Sequence, residues 1–150
     1  MTSIKQLMSN DHNHCDELFI EAENHVLKKN WIEAGQALNH FINTTLDHFR
    51  HEENTLFPAF ENATGMTSGP TEVMRHEHQQ LRQLINDLSH TVDEQNKDRY
   101  LSTSETLLIF IRQHNMKEEQ VLYPMIEQSC SQDADELMKD FINKDRSSAA

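Results

Sequence analysis

The chain has 150 residues with a net charge of −12, three glycines, three prolines and two cysteines. That length supplies one domain with a real core and is too short for two ordinary ones, and the charge excludes nucleic acid and an anionic membrane as partners, since this surface would repel either. Met1 to Asn10 holds no apolar run suited to a signal peptide and no later segment could span a bilayer, so a cytoplasmic location is expected.

Scarce glycine and proline favour long helices, and helical periodicity recurs four times along the chain. The first series is Ile4, Met8, His12, Cys15, Phe19, Ala22 and Val26, one face at three- and four-residue spacing. Asn30 caps the next helix, whose face reads Leu38, Phe41, Thr45, His48, Glu52, Leu56 and Ala59. Glu61 to Gly69 has a loop composition, and Pro70 suits the first turn of a third helix with Met74, His78, Leu81, Ile85 and Leu88 on its face. Asn96 precedes a fourth, with Leu107, Ile111, His114, Glu118, Val121 and Met125. Ser129 to Asp133 reads as a turn, a short helix follows over about 133–142, and Lys144 to Ala150 reads as a frayed tail. The expected fold is all-α: one domain over 1–150, an up-down-up-down four-helix bundle over about 4–128 with a short C-terminal helix.

Every face is apolar except for histidines and glutamates near one level, and a repeat explains them. Comparing each residue with the one 66 positions later pairs Met8 with Met74, His12 with His78, Leu18 with Leu84 and Asn30 with Asn96. It also pairs His48 with His114, Glu52 with Glu118, Glu53 with Glu119, Leu56 with Leu122 and Pro58 with Pro124, without a gap. The chain therefore reads as two helical hairpins of related sequence.

Counting then places the polar residues. His12 and His48 lie equally far from Asn30, and His78 and His114 equally far from Asn96. Each hairpin climbs roughly 27 Å and descends as much, so its two histidines share one height. Antiparallel neighbours bring all four into one layer. His48-x-x-x-Glu52 and His114-x-x-x-Glu118 put a nitrogen and an oxygen donor one turn apart on the same face.

Burying four imidazoles and two carboxylates without a counter-ion would cost several kcal/mol. A solvated polar stripe does not fit, because the flanking positions are apolar. If both glutamates bridge, each of two metal ions has two nitrogens and two oxygens. A water-derived bridge makes five donors and leaves one position open, which suits iron or manganese better than a closed thiolate zinc site. Cys15 and Cys130 form no Cys-x-x-Cys motif and no disulfide framework.

The remaining candidates carry less. His14, His25, His40, His51, His76 and His90 have no histidine partner in the repeat and read as surface residues, with His51 singled out beside Glu52. Glu53 and Glu119 read either as groups that orient the ligands or as solvated helix surface. Met8 and Met74 read as core gap-fillers rather than caps on the site. Cys15 reads as a small buried hydrophobe, and Trp31 and Tyr123 as structural.

The run His48-Phe49-Arg50-His51-Glu52-Glu53-Asn54-Thr55-Leu56-Phe57-Pro58 and the stretch His114 to Pro124 resemble the second and fourth helices of the hemerythrin-like family, the HHE cation-binding domains. The resemblance covers roughly Ile4 to Gln128. It implies two iron ions joined by an oxo or hydroxo bridge, with manganese the second choice. His12, His48, His78 and His114 would be terminal ligands, and Glu52 and Glu118 bridges. Oxygen-carrying members typically have a further histidine where this chain has Met74, and close the fourth helix with His-x-x-x-x-Asp. The pattern here is closer to members linked to nitric oxide, peroxide or repair of damaged iron–sulfur centres, although the repair proteins usually carry a cysteine-bearing N-terminal domain that this sequence does not show.

Three functions follow as expectations. The first is binding or reaction of O2, NO or H2O2 at open iron positions. The second is enzymatic peroxide decomposition or NO reduction, which would add an electron-donor protein as partner. The third is iron buffering or donation. The first is the leading expectation, and the other two are its alternatives.

Overall fold

Ser3 starts the first helix by accepting, through its hydroxyl, the otherwise unpaired N–H of Gln6 at 3.1 Å. In the computed structural model, which describes residues 3–142, α1 then runs Ile4–Leu27, α2 Trp31–His51, α3 Phe57–Thr64, α4 Pro70–Asp93, α5 Lys97–Lys117, α6 Tyr123–Ser129 and α7 Ala134–Leu137. The chain is an all-α four-helix bundle, with no strand among the described residues. In it α1 packs on α2, α5 and α6, α4 packs on α5 and α2, and α3 packs on α6. A further helical turn over 139–142 follows a break at Met138. The tail from Lys144 to Ala150 lies outside the described residues.

The two hairpin turns share one design. Lys29 and Gln95, 66 positions apart, are the two non-glycine residues with positive φ among those described, at 58° and 53°. In the first turn Lys29 N–H donates to Val26 C=O and Asn30 N–H to His25 C=O; in the second, Gln95 donates to Val92 and Asn96 to Thr91. The last carbonyls of α1 and α4 are thereby satisfied by a left-handed cap. Asn96 also accepts from Arg99 N–H at 3.1 Å, whereas Asn30 makes no side-chain cap bond. The repeat thus extends to backbone geometry.

The second and fourth helices depart from α-geometry directly after the metal-ligand candidates. Glu52–Leu56 and Glu118–Leu122 are π-helical turns, in which Phe57 N–H donates to Glu52 C=O and Tyr123 N–H to Glu118 C=O, five residues back. Pro58 and Pro124 explain the widening. Each lacks an N–H for the carbonyl four residues earlier, and its ring would strike that carbonyl in an α-helix. Arg75 donates to the Glu53 C=O at 3.2 Å beside the first of these turns.

This extra residue corrects the sequence register. Four residues of α-helix advance about 400°, so a strict spacing of four drifts about 40° per step. The wider turn absorbs the drift, keeping His48, Glu52, Leu56 and Phe60 all buried, and likewise His114, Glu118, Leu122 and Ile126. Val121, expected on the core face, is 52% exposed, and Ala59 and Met125 are only partly buried. The loop expected over Glu61 to Gly69 is also shorter. α3 continues to Thr64, whose hydroxyl donates back to Phe60 C=O at 2.7 Å, and Gly65 stops it at φ 74°.

The buried apolar residues form two clusters. One lies toward the hairpin turns and includes Phe19, Phe41, Leu88, Tyr100 and Leu107. The other includes Ile4, Met8, Phe57, Phe60, Met74, Tyr123 and Ile126, closed over by Met138 and Phe141. Along each helix the break between clusters falls where the sequence places histidine and glutamate.

Candidate metal centre

Each long helix brings its polar residues to that break. His12 comes from the middle of α1, His48 from the last turn of α2 and His78 from α4, with His114 from the end of α5. Glu52 and Glu118 open the two π turns. Glu52, His78 and Glu118 are fully buried, and His12, His48 and His114 are at most 5% exposed.

The six side chains meet as two overlapping sets. Glu52, His78, His114 and Glu118 each present one ligating atom within 4.8 Å of the others, and His12, His48 and Glu118 do the same. Glu118 Oε1 lies 3.2 Å from His12 Nε2 and 3.3 Å from His114 Nε2, so this carboxylate faces both sets. Glu52 Oε1 lies 3.2 Å from His78 Nε2 and 3.6 Å from His48 Nε2. All six predicted site residues are thus in one layer. The ring centroids of His12 and His48 are 4.5 Å apart, and those of His78 and His114 are 4.9 Å apart.

Every imidazole is held from behind by a carboxylate. His12 Nδ1 donates to Glu119 at 2.7 Å, His48 Nδ1 to Asp11 at 2.7 Å, His78 Nδ1 to Glu53 at 2.7 Å and His114 Nδ1 to Glu77 at 2.8 Å. An ionised carboxylate only accepts, so Nδ1 carries the proton and a neutral ring turns the lone pair of Nε2 inward. The open choice for Glu53 and Glu119 is thereby decided in favour of orienting the rings. Arg82 and Lys117 hold two of these carboxylates in turn, Glu53 at 2.8 Å and Glu77 at 2.6 Å.

Asp11 and Glu77 escape a search for identical residues in the repeat, since one is aspartate and the other glutamate. They sit 66 positions apart all the same, and matching by charge would find them. Tyr123, read as structural, is a third residue the sequence hides. Its hydroxyl donates to Glu52 Oε2 at 2.7 Å inside the layer, and its repeat partner is Phe57.

Burial opposes charge throughout the layer, and the outcome depends on the neighbours. It lowers the affinity of His12, His78 and His114 for a proton, but contacts with Glu118, Glu52 and the carboxylates behind overcome it. The three are raised to about 10, about 11 and about 9. For Glu52, burial and the nearby Glu118 charge push the pKa up. For Glu118, burial pushes the same way but is outweighed by His114, Glu52 and His12, which hold it well below the usual carboxylate range.

The other histidines stay apart from the layer's two sets. His14, His40, His76 and His90 are exposed, His25 is half-buried, and His51 packs 5.1 Å from the Phe141 ring. Met8 and Met74 are buried in the second apolar cluster. Two clefts reach the layer's edges: one of about 310 Å³ beside His12, Asp16, Arg112 and Glu119, and one of about 60 Å³ beside Glu77, Phe110, His114 and Lys117.

The sequence that builds this site matches a known family. The family description "Hemerythrin HHE cation binding domain" matches residues 3–126. The chain belongs to the hemerythrin HHE family. No curated protein and no solved structure matches it.

The HHE donor set fits a cation on its own evidence. Glu52 Oε1, His78 Nε2, His114 Nε2 and Glu118 Oε2 are buried and have no hydrogen-bond partner, although some lie 3.2–3.8 Å from one another. They stand close to one another without hydrogen-bond geometry. Each such orphan costs about 1–3 kcal/mol in protein alone, and a cation between them removes the cost. This HHE domain is a metal-binding protein, and among the described residues no helix is long and apolar enough to cross a membrane.

Proposed function

We propose that the domain holds two iron ions and that a small molecule, O2, NO or H2O2, binds or reacts at a position left open beside them. His12 and His48 would hold one ion and His78 and His114 the other, with Glu52 and Glu118 shared. The four atoms of Glu52, His78, His114 and Glu118 without a hydrogen-bond partner carry the reading, because a nitrogen and carboxylate set with a position left open suits iron better than a closed thiolate zinc site would. Manganese is the second choice. When bound, such a pair supplies Lewis acidity and one-electron redox change at positions not filled by protein.

The protein's own contribution is placement and exclusion. Four carboxylates fix the tautomer of four imidazoles, and two apolar clusters above and below keep bulk water from the layer. Of the two clefts, the one at His12 is about 310 Å³ and the one at His114 about 60 Å³; the latter falls well short of the roughly 300 Å³ where organic-ligand pockets begin. That size admits a diatomic or a peroxide.

The test starts by counting metal per purified chain, with two irons expected. The protein is then reduced without air and titrated separately with O2, NO and H2O2. A reversible optical change identifies binding, and sustained consumption by catalytic amounts of protein identifies turnover. A chain that takes up no iron ends the proposal.

A further inference from the structure

Just beyond the two π turns, the halves of the layer differ by a single oxygen atom. Phe57 and Tyr123 follow the two π turns at the repeat's offset, and both are fully buried. Their rings occupy matching places: Phe57 stacks 5.7 Å from the His78 ring and Tyr123 stacks 5.9 Å from the His12 ring. On the Phe57 side, Nε2 of His78 and of His114 lacks a hydrogen-bond partner and faces only the carboxylates of Glu52 and Glu118, at 3.2 and 3.3 Å. On the other side the phenol oxygen stands 2.7 Å from Glu52 Oε2, 3.0 Å from Glu118 Oε1, and 3.3 Å from Nε2 of both His12 and His48.

A hydroxyl has one proton and two lone pairs, so it cannot satisfy four neighbours together. The four distances have a simpler reading. Donors bonded to one ion at about 2.1 Å and roughly at right angles stand about 3 Å from one another. Tyr123 is spaced from two imidazoles and two carboxylates as a fifth donor of one ion would be. Without it, the His12–His48 set has only Glu118 as its third member, against four residues in the His78–His114 set.

We propose that the phenol oxygen of Tyr123 is a metal ligand that completes the His12–His48 position. The inference rests on the di-iron reading above. Coordination exchanges the phenolic proton, which leaves to solvent water, for a metal–oxygen bond, and no electron moves. The two metal positions are then unequal. The one beside His12 and His48 has five protein donors, and the one beside His78 and His114 has four, with an apolar Phe57 ring nearby. The incoming small molecule is assigned to the His78–His114 position.

The 150-residue chain is stripped of metal, loaded with ferrous iron without air and oxidised with ferricyanide, one electron per iron. Ferric phenolate has a visible charge-transfer band and tyrosine ring modes under resonance Raman excitation, both absent from histidine and carboxylate ligation. The wild type is expected to show them at two irons per chain. Tyr123→Phe should keep two irons and lose the band completely. The other tyrosine, Tyr100, lies in the opposite apolar cluster, so Tyr100→Phe should keep the band in full. This variant and the wild-type Raman modes settle the matter even if Tyr123→Phe fails to fold. Two bound irons without a phenolate signature, or a band that survives in Tyr123→Phe, overturns the assignment and leaves the di-iron reading standing. Absence of iron binding overturns both.

Discussion

A carboxylate behind each imidazole decides which nitrogen faces the layer, so its removal should weaken metal binding without emptying the core. Glu77 shows this best. It accepts from His114 at 2.8 Å and from Lys117 at 2.6 Å, and its pKa is brought down to about 2 by the bond to His114, against burial, with help from Lys117. Glu77→Gln keeps an acceptor of similar size but no charge, and metal affinity should fall by about 10–100-fold. His114→Ala removes a donor outright and should leave metal content well below two per chain. Competition with a chromophoric chelator measures the first and metal analysis the second; full occupancy in His114→Ala would remove that residue from the ligand set. The six polar side chains of the layer were legible because each breaks an apolar face and each has a counterpart 66 residues away. Asp11, Glu77 and Tyr123 were not, because their repeat partners differ in chain length or by one hydroxyl, and a comparison by identity discards such pairs.

At the scale of elements, the repeat fixed the number and pairing of helices, but a 3.6-residue period could not anticipate the π turns. The consequence is a register shift of one residue after each of them, and mutation can read it. Leu122 is 2% exposed while its neighbour Val121 is 52% exposed. Leu122→Ala should therefore cost about 2–5 kcal/mol, and Val121→Ser less than about 0.5 kcal/mol. The reverse order in urea unfolding would mean that the helix runs on without its wider turn. The hairpin caps make a second prediction at this scale. Lys29 is held at φ 58°, a region that disfavours any side chain with a Cβ. Lys29→Gly should relieve that strain, offset in part by the greater freedom of the unfolded chain, for a net gain of about 0.5–1 kcal/mol. Thermal unfolding of the metal-free protein would measure it, and a loss of stability would mean that the Lys29 side chain supports the turn.

For the whole molecule, the layer is a store of protons when no metal is present. His12, His78 and His114 release their protons near 6.5 in the absence of the fold, but at about 10, about 11 and about 9 within it. Their ion pairing therefore stabilises the metal-free fold in full below about pH 6.5, and that contribution is lost as the pH rises through 9 to 11. Glu53 and Glu77 behave in the opposite sense. Burial opposes charge on Glu53 but the bonds to His78 and Arg82 prevail, and both glutamates lie at about 2 against an ordinary 4.5. Their contribution is present above about 4.5 and disappears as the pH falls toward 2. Metal-free protein should thus resist urea best between about pH 4.5 and 6.5. Metal binding changes the alkaline side, because a protonated Nε2 has no lone pair to offer. At pH 7 each of the three imidazoles must give up a proton, so loading should release at least three protons per chain, and metal affinity should climb steeply with pH. Titration calorimetry in two buffers of different ionisation enthalpy counts those protons directly. Loading without proton release would show that the imidazoles are already neutral, and that the carboxylates around them, rather than the metal, set the charge of the layer.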